Sequence, residues 1–259
     1  MKRFLFRTLL LILALLAGLG WYFRAEILEA WRSMGKPLLV IGKRSPQPDP
    51  ERYEVLKEDV ERWRQDLAKR YRKARTAAER ELILDEARVF LESAVPDLMS
   101  CWLGTPWDFN GTSETPGEGK VACGYFVATV LRDAGFKLDR YKLARQPSEN
   151  IILSFVPRRE LVKRVGVPYD SYAAEVRGYP SGIRIVGLDT HVGFLVSGAD
   201  GFRFVHSSGS RPWCVVDEAE QDAEVLKKSN YRVHASLTGN RDVIRRWLAG
   251  ERIRVNTGG

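Results

Sequence analysis

Sulfur and imidazole are scarce in this chain: cysteine, methionine and histidine occur three times each in 259 residues. An odd cysteine count excludes a fully closed disulfide framework, since one thiol must stay free or pair outside the chain. A bridge between Cys101 and Cys214 that leaves Cys123 free is one arrangement; two buried free thiols beside Cys123 is the simpler one. So few histidines leave His191, His206 and either His234 or Cys214 as ligands for any zinc site. Their spacing lacks a tight pair such as H-x-x-x-H, which argues against zinc. Internal repeats and low-complexity tracts are absent, and 44% hydrophobic with 29% charged residues excludes a disordered chain.

Net charge is missing from most of the chain as well. Residues 1–44 hold eight Lys or Arg against two Glu, so +6 of the total +8 lies there and only about +2 in the rest. A basic face for nucleic acid is therefore not expected.

One long apolar run is present, at residues 8–23, interrupted only by Thr8. As a helix it spans roughly 24 Å, somewhat short of a bilayer core of about 30 Å. Residues 4–6 extend it while Arg7 snorkels to the surface. Lys2, Arg3 and Arg7 precede the run and Glu26 and Glu29 follow it, which predicts a cytoplasmic N-terminus, a membrane anchor through residues 4–23 and a body on the periplasmic or extracellular side. A cleaved signal peptide, with Gly18-Leu19-Gly20 near the cleavage point, is the alternative, leaving a secreted protein. No cysteine ends the run, so a lipoprotein is excluded.

Ser45-Pro46-Gln47-Pro48-Asp49-Pro50 punctuates a linker, and Asp49 with Pro50 has the form of a helix start. Tyr53, Leu56, Val60, Trp63, Leu67 and Tyr71 recur every three or four residues beyond it. Thr76-Ala77-Ala78-Glu79 has capping-box form and predicts a second helix over 77–94, stopped by Pro96. The pair makes a helical hairpin, either packed on the C-terminal part of the chain or standing as a stalk. Strand patterns then occur at 183–186, 192–196, 202–205 and 231–236, and an amphipathic segment at 241–248 closes the chain. Helices first and antiparallel strands afterwards read as α+β. The expected divisions are an anchor or signal at 1–24, a linker at 25–50, the hairpin at 51–95 and a C-terminal domain at 96–259.

Chemistry concentrates around Cys123. A polar, glycine-rich run, 111–120, precedes it, and Phe126, Val127, Val130 and Leu131 follow at helical spacing, so Cys123 is expected at a helix N-terminus. Free backbone N–H groups and the positive dipole end favour a thiolate there, and Gly124 is expected to keep the approach to sulfur open. Two strands, His191-Val192-Gly193-Phe194-Leu195-Val196-Ser197 and Phe202-Arg203-Phe204-Val205-His206, flank the turn Gly198-Ala199-Asp200-Gly201. Symmetric closure pairs Ser197 with Phe202 and Gly193 with His206, which sets His206 on the same face as His191 and diagonal to it. An imidazole with a pKa near 6.5 takes the thiol proton and returns it to a leaving amine, while a third polar group fixes its tautomer.

In order, Gly104-Thr105-Pro106-Trp107, Ala122-Cys123-Gly124-Tyr125-Phe126-Val127, Pro180-Ser181-Gly182-Ile183, His191-Val192-Gly193-Phe194 and Val205-His206-Ser207-Ser208 resemble the motifs of the NlpC-type cell-wall peptidases, of the papain-like cysteine class. The resemblance covers residues 100–210 or so. It implies an antiparallel sheet packed on the nucleophile helix, with Cys123 as nucleophile, His191 as general base and acid, and His206 as the orienting third member. No cofactor or metal is expected, and the resemblance implies an amide substrate such as a peptidoglycan stem peptide. An inactive relative that binds cell-wall peptide or a partner protein is the alternative. Ala122 and Trp107 stand where the family carries an acidic residue and a tyrosine.

Overall fold

Asp49 starts the first helix by accepting the Arg52 N–H through its side chain (3.0 Å), with Pro50 in the first turn where its missing N–H costs nothing. In the computed structural model, which describes residues 46–258, this helix (α1) spans Pro50–Lys73. The capping box at Thr76 and Glu79 then opens α2, Ala77–Cys101. The expected anchor at 1–24 and most of the linker at 25–50 lie outside the described residues. Among the described residues no helix is long and apolar enough to cross a membrane.

Pro96 does not stop α2, contrary to the sequence expectation; it stands inside the helix. Proline in a helix interior costs about 3 kcal/mol through the lost hydrogen bond and ring clash. Against this, Val95, Leu98 and Met99 are all buried, and each such side chain contributes about 1.5–3 kcal/mol on burial. Burial outweighs the proline.

The chain continues through α3 (Cys123–Asp133), α4 (Arg140–Ala144), α5 (Ser148–Leu153), a 3₁₀ turn (Arg158–Glu160), β1 (Val162–Val165), α6 (Tyr169–Arg177), β2 (Gly182–Leu188), β3 (Val192–Gly198), β4 (Gly201–Ser207), β5 (Val215–Ala219), α7 (Glu224–Lys228), β6 (Tyr231–Ser236) and α8 (Arg241–Ala249). The strands form one antiparallel sheet in the order β1-β6-β2-β3-β4-β5. The fold is α+β. On one face Phe194, Val205, Ile183 and Ile185 join Phe126, Val127 and Val130 of α3 in the main core, which also takes in Leu91 and Leu98 of α2. On the other, Leu195 and Phe204 pack with Tyr172 and Val176 of α6 and Leu226 of α7.

Aromatic rings run through the main core from the hairpin to the sheet. Tyr53 meets Trp102 edge-on (5.6 Å), Trp102 meets Phe126 (6.1 Å), and Phe126 meets Phe194 of β3 (6.1 Å). Tyr53 Oη also donates to Asp133 of α3 (2.8 Å). Of the two arrangements the sequence leaves open for the hairpin, the packed one is found.

Candidate active site

Cys123 is the first residue of α3. Ala122 at the N-cap offers no side chain to the helix's free amides, which leaves them for the sulfur. The N–H groups of Cys123, Gly124 and, from β3, Val192 all favour the thiolate, yet burial is the larger effect and pushes the thiol above its usual range. The expected resting thiolate is thus corrected: desolvation of the sulfur outweighs the helix terminus. Gly124 also acts differently from expectation. A Cβ there would lie 2.3 Å from the Ala144 carbonyl oxygen, so the glycine admits the end of α4 against α3.

The β3–β4 register is the one read from the turn. Ser197 pairs with Phe202, Gly198 with Gly201, and only Ala199 and Asp200 remain in the loop. His191, immediately before β3, and His206 of β4 come together with Nε2 of the first 2.7 Å from Nδ1 of the second. Their rings stand perpendicular (85°), and His206 stacks on Phe204 at 4.1 Å. Burial draws both imidazoles far below their usual range, His191 further through the nearby His206, so both are neutral at pH 7. His191 Nδ1 is left available to the cleft. Cys123 and His191 both line a cleft of about 880 Å³, with Trp107, Tyr125, Arg145 and Ser210. The Val192 N–H at the sulfur places the residue after His191 against Cys123.

Three residues that position this site were not read from the sequence. Glu218 of β5 lies 3.0 Å from His206 Nε2 through Oε2. Burial, then Asp222 and Glu224, push its carboxyl up to about 7, with Lys227 opposing. Ser207 points to the opposite face from His206 and donates to the Val121 carbonyl (2.7 Å), tying β4 to the approach to Cys123. Buried Arg140 donates to Thr129 Oγ1 of α3 (2.6 Å) and to the carbonyls of Thr112 and Ser113 (2.9 and 2.7 Å), clamping the glycine-rich loop onto the helix.

His234, the remaining histidine, sits apart on β6 between Tyr172 and Tyr179. All three cysteines are free. Among the described residues no group of three or more His, Cys, Asp or Glu is gathered that would hold a metal ion.

Gly193 is opposite His206 in the extended register, and a Cβ on it would lie 2.8 Å from His206 Cβ and 2.7 Å from Phe204 Cε2. Gly193→Ala is expected to cost about 1–3 kcal/mol, the range for overpacking, and to lower Cys123 reactivity by displacing His206. Urea unfolding and thiol-labelling rates measure the two effects; an unchanged midpoint and rate would show that this approach is not tight.

No protein-family model matches the sequence, and neither a curated protein nor a solved structure is significantly similar to it.

Proposed function

We propose that the protein is a membrane-anchored, extracytoplasmic cysteine hydrolase of amide bonds, a papain-like enzyme of NlpC type acting on peptidoglycan stem peptides. The observation that carries this reading is the thiol at an uncapped helix start, sharing a cleft with a histidine whose far nitrogen is held by a second buried histidine. His191 Nδ1 takes the proton as Cys123 Sγ attacks the carbonyl carbon. The tetrahedral oxyanion collapses, the C–N bond breaks, and the amine leaves with that proton, giving a thioester that water hydrolyses. The N–H groups of Cys123 and Gly124 supply donors that a developing oxyanion also needs. The anchor through residues 4–23 puts the body on the side where such a substrate lies.

Iodoacetamide at about pH 8 tests the assignment, because Cys123 alone among the thiols shares the cleft with a histidine. Cys101 is buried and pushed up to about 11, and Cys214 is raised by burial as well. Mass spectrometry of the folded protein is expected to find Cys123 labelled first. Equal labelling of all three would leave the alternative, a binding module with no activated thiol.

A further inference from the structure

We propose that Glu218 sets the direction of a proton relay running Glu218, His206, His191, Cys123, so that the ionisation of one carboxylate decides which tautomer His191 presents to the thiol. This relay rests on the assignment of Cys123 and His191 as nucleophile and base.

The two contacts, 2.7 Å between the imidazoles and 3.0 Å from His206 to Glu218, occupy three of the four ring nitrogens. A neutral imidazole has one N–H and one lone pair. Each contact needs one donor and one acceptor, so the relay as a whole polarises in only two ways. An ionised Glu218 only accepts. His206 Nε2 then carries its proton, His206 Nδ1 accepts from His191 Nε2–H, and His191 Nδ1 has a bare lone pair for the thiol. A protonated Glu218 donates to His206 Nε2. His206 Nδ1–H then donates to His191 Nε2, and His191 Nδ1 carries the remaining proton and is no base. Any mixed state sets two lone pairs or two N–H groups against each other in a buried contact, at a cost typical of an unsatisfied buried group. Glu218 therefore acts as a positioning residue through His206.

The charged and titratable groups around Glu218 are His206 of β4, Asp222 after β5, and Glu224 and Lys227 of α7. Lys227 is spent on the Glu224 carboxylate, at 3.0 Å, and among the described residues Glu218 has no Lys or Arg within ion-pair distance. With its carboxyl pushed up to about 7, the switch falls in the neutral range. The sign follows from the oxygen that faces His206: below that pH a proton on Oε2 is donated to Nε2 and silences His191, and above it the carboxylate arms it.

Two measurements decide this. Long-range ¹H–¹⁵N NMR of the wild-type protein at about pH 5.5 and about pH 8.5 is expected to show His191 changing from the Nδ1–H to the Nε2–H form, with His206 changing in step. The same tautomers at both pH values would overturn the relay, and this result needs no variant and no activity. Second, the rate of Cys123 alkylation by iodoacetamide is expected to rise about tenfold or more through a limb near pH 7. Glu218→Gln should lose the limb and Glu218→Asp should restore it at a shifted pH. A limb unchanged in Glu218→Gln sinks the relay while leaving the nucleophile assignment standing. A wild-type Cys123 no more reactive than Cys101 and Cys214 sinks the nucleophile assignment instead, and the coupling of Cys123 to the relay with it.

Discussion

Replacing His191 with alanine is expected to lower turnover of an amide substrate by about 10²- to 10⁴-fold, the range for removal of a general acid-base group. The loss is chemical more than structural. His191 is only half-buried, but its removal strands His206 Nδ1, formerly 2.7 Å from Nε2, and an unsatisfied buried group costs about 1–3 kcal/mol. Rates should therefore be compared well below each variant's urea midpoint. Changes at His206 should be graded. His206 must face both His191 and Glu218, and glutamine retains a carbonyl oxygen and an N–H for those two contacts. His206→Gln or His206→Asn should thus cost less than His191→Ala, and His206→Ala more than either amide. Turnover of His191→Ala within roughly tenfold of wild type would remove His191 from the acid-base role.

Trp102→Ala is expected to cost about 3–5 kcal/mol, the range for deleting a large aromatic from a core. Trp102 has no exposed surface and touches Tyr53 on one side and Phe126 on the other. Against a typical stability of about 5–15 kcal/mol, that is a large fraction. Because Phe126 belongs to the helix that begins at Cys123, labelling of Cys123 should lose its preference over Cys101 as the urea concentration approaches the lowered midpoint. Trp102→Phe, which keeps a ring in place, should cost less. A shift under about 1 kcal/mol for Trp102→Ala would mean that the hairpin and the core around α3 do not unfold as one unit.

The inner strands were legible because their burial is written in β-branched and aromatic residues; β6 was found at its observed limits, residues 231–236. β1 and β5 were not. Both lie at the sheet's edges, and Val162-Lys163-Arg164-Val165 and Val215-Val216-Asp217-Glu218-Ala219 are short and half polar, as edge strands are when they discourage further pairing. Glu218 was missed for the same reason. In the sequence it is one acid among several, and only the β4–β5 register, with Phe204 opposite Glu218 and His206 opposite Val216, puts it beside an imidazole. The two histidines were legible because Gly198 and Gly201 fix a tight turn, and a turn fixes a register. The state of the thiol was not, since desolvation depends on packing that no local pattern encodes.

The place of β6 bears on how the chain is made. Among the described residues it is the strand furthest along the chain, yet it lies between β1 and β2, and β1 pairs with it alone. A nascent chain holding Cys123, His191, His206 and Glu218 has every group of the relay but an open sheet edge along β2, a ready template for pairing with other chains. α8, which follows β6, packs Trp247 beside Phe90 of the hairpin and donates its indole N–H to the Ala134 carbonyl just past α3 (2.7 Å). β6 and α8 thus complete the sheet and the main core from residues that follow every group of the relay in the chain, and the long separation of these partners makes closure a late, slow step. Until residues 231–249 have been made, the four groups of the proposed relay sit at an unfinished sheet.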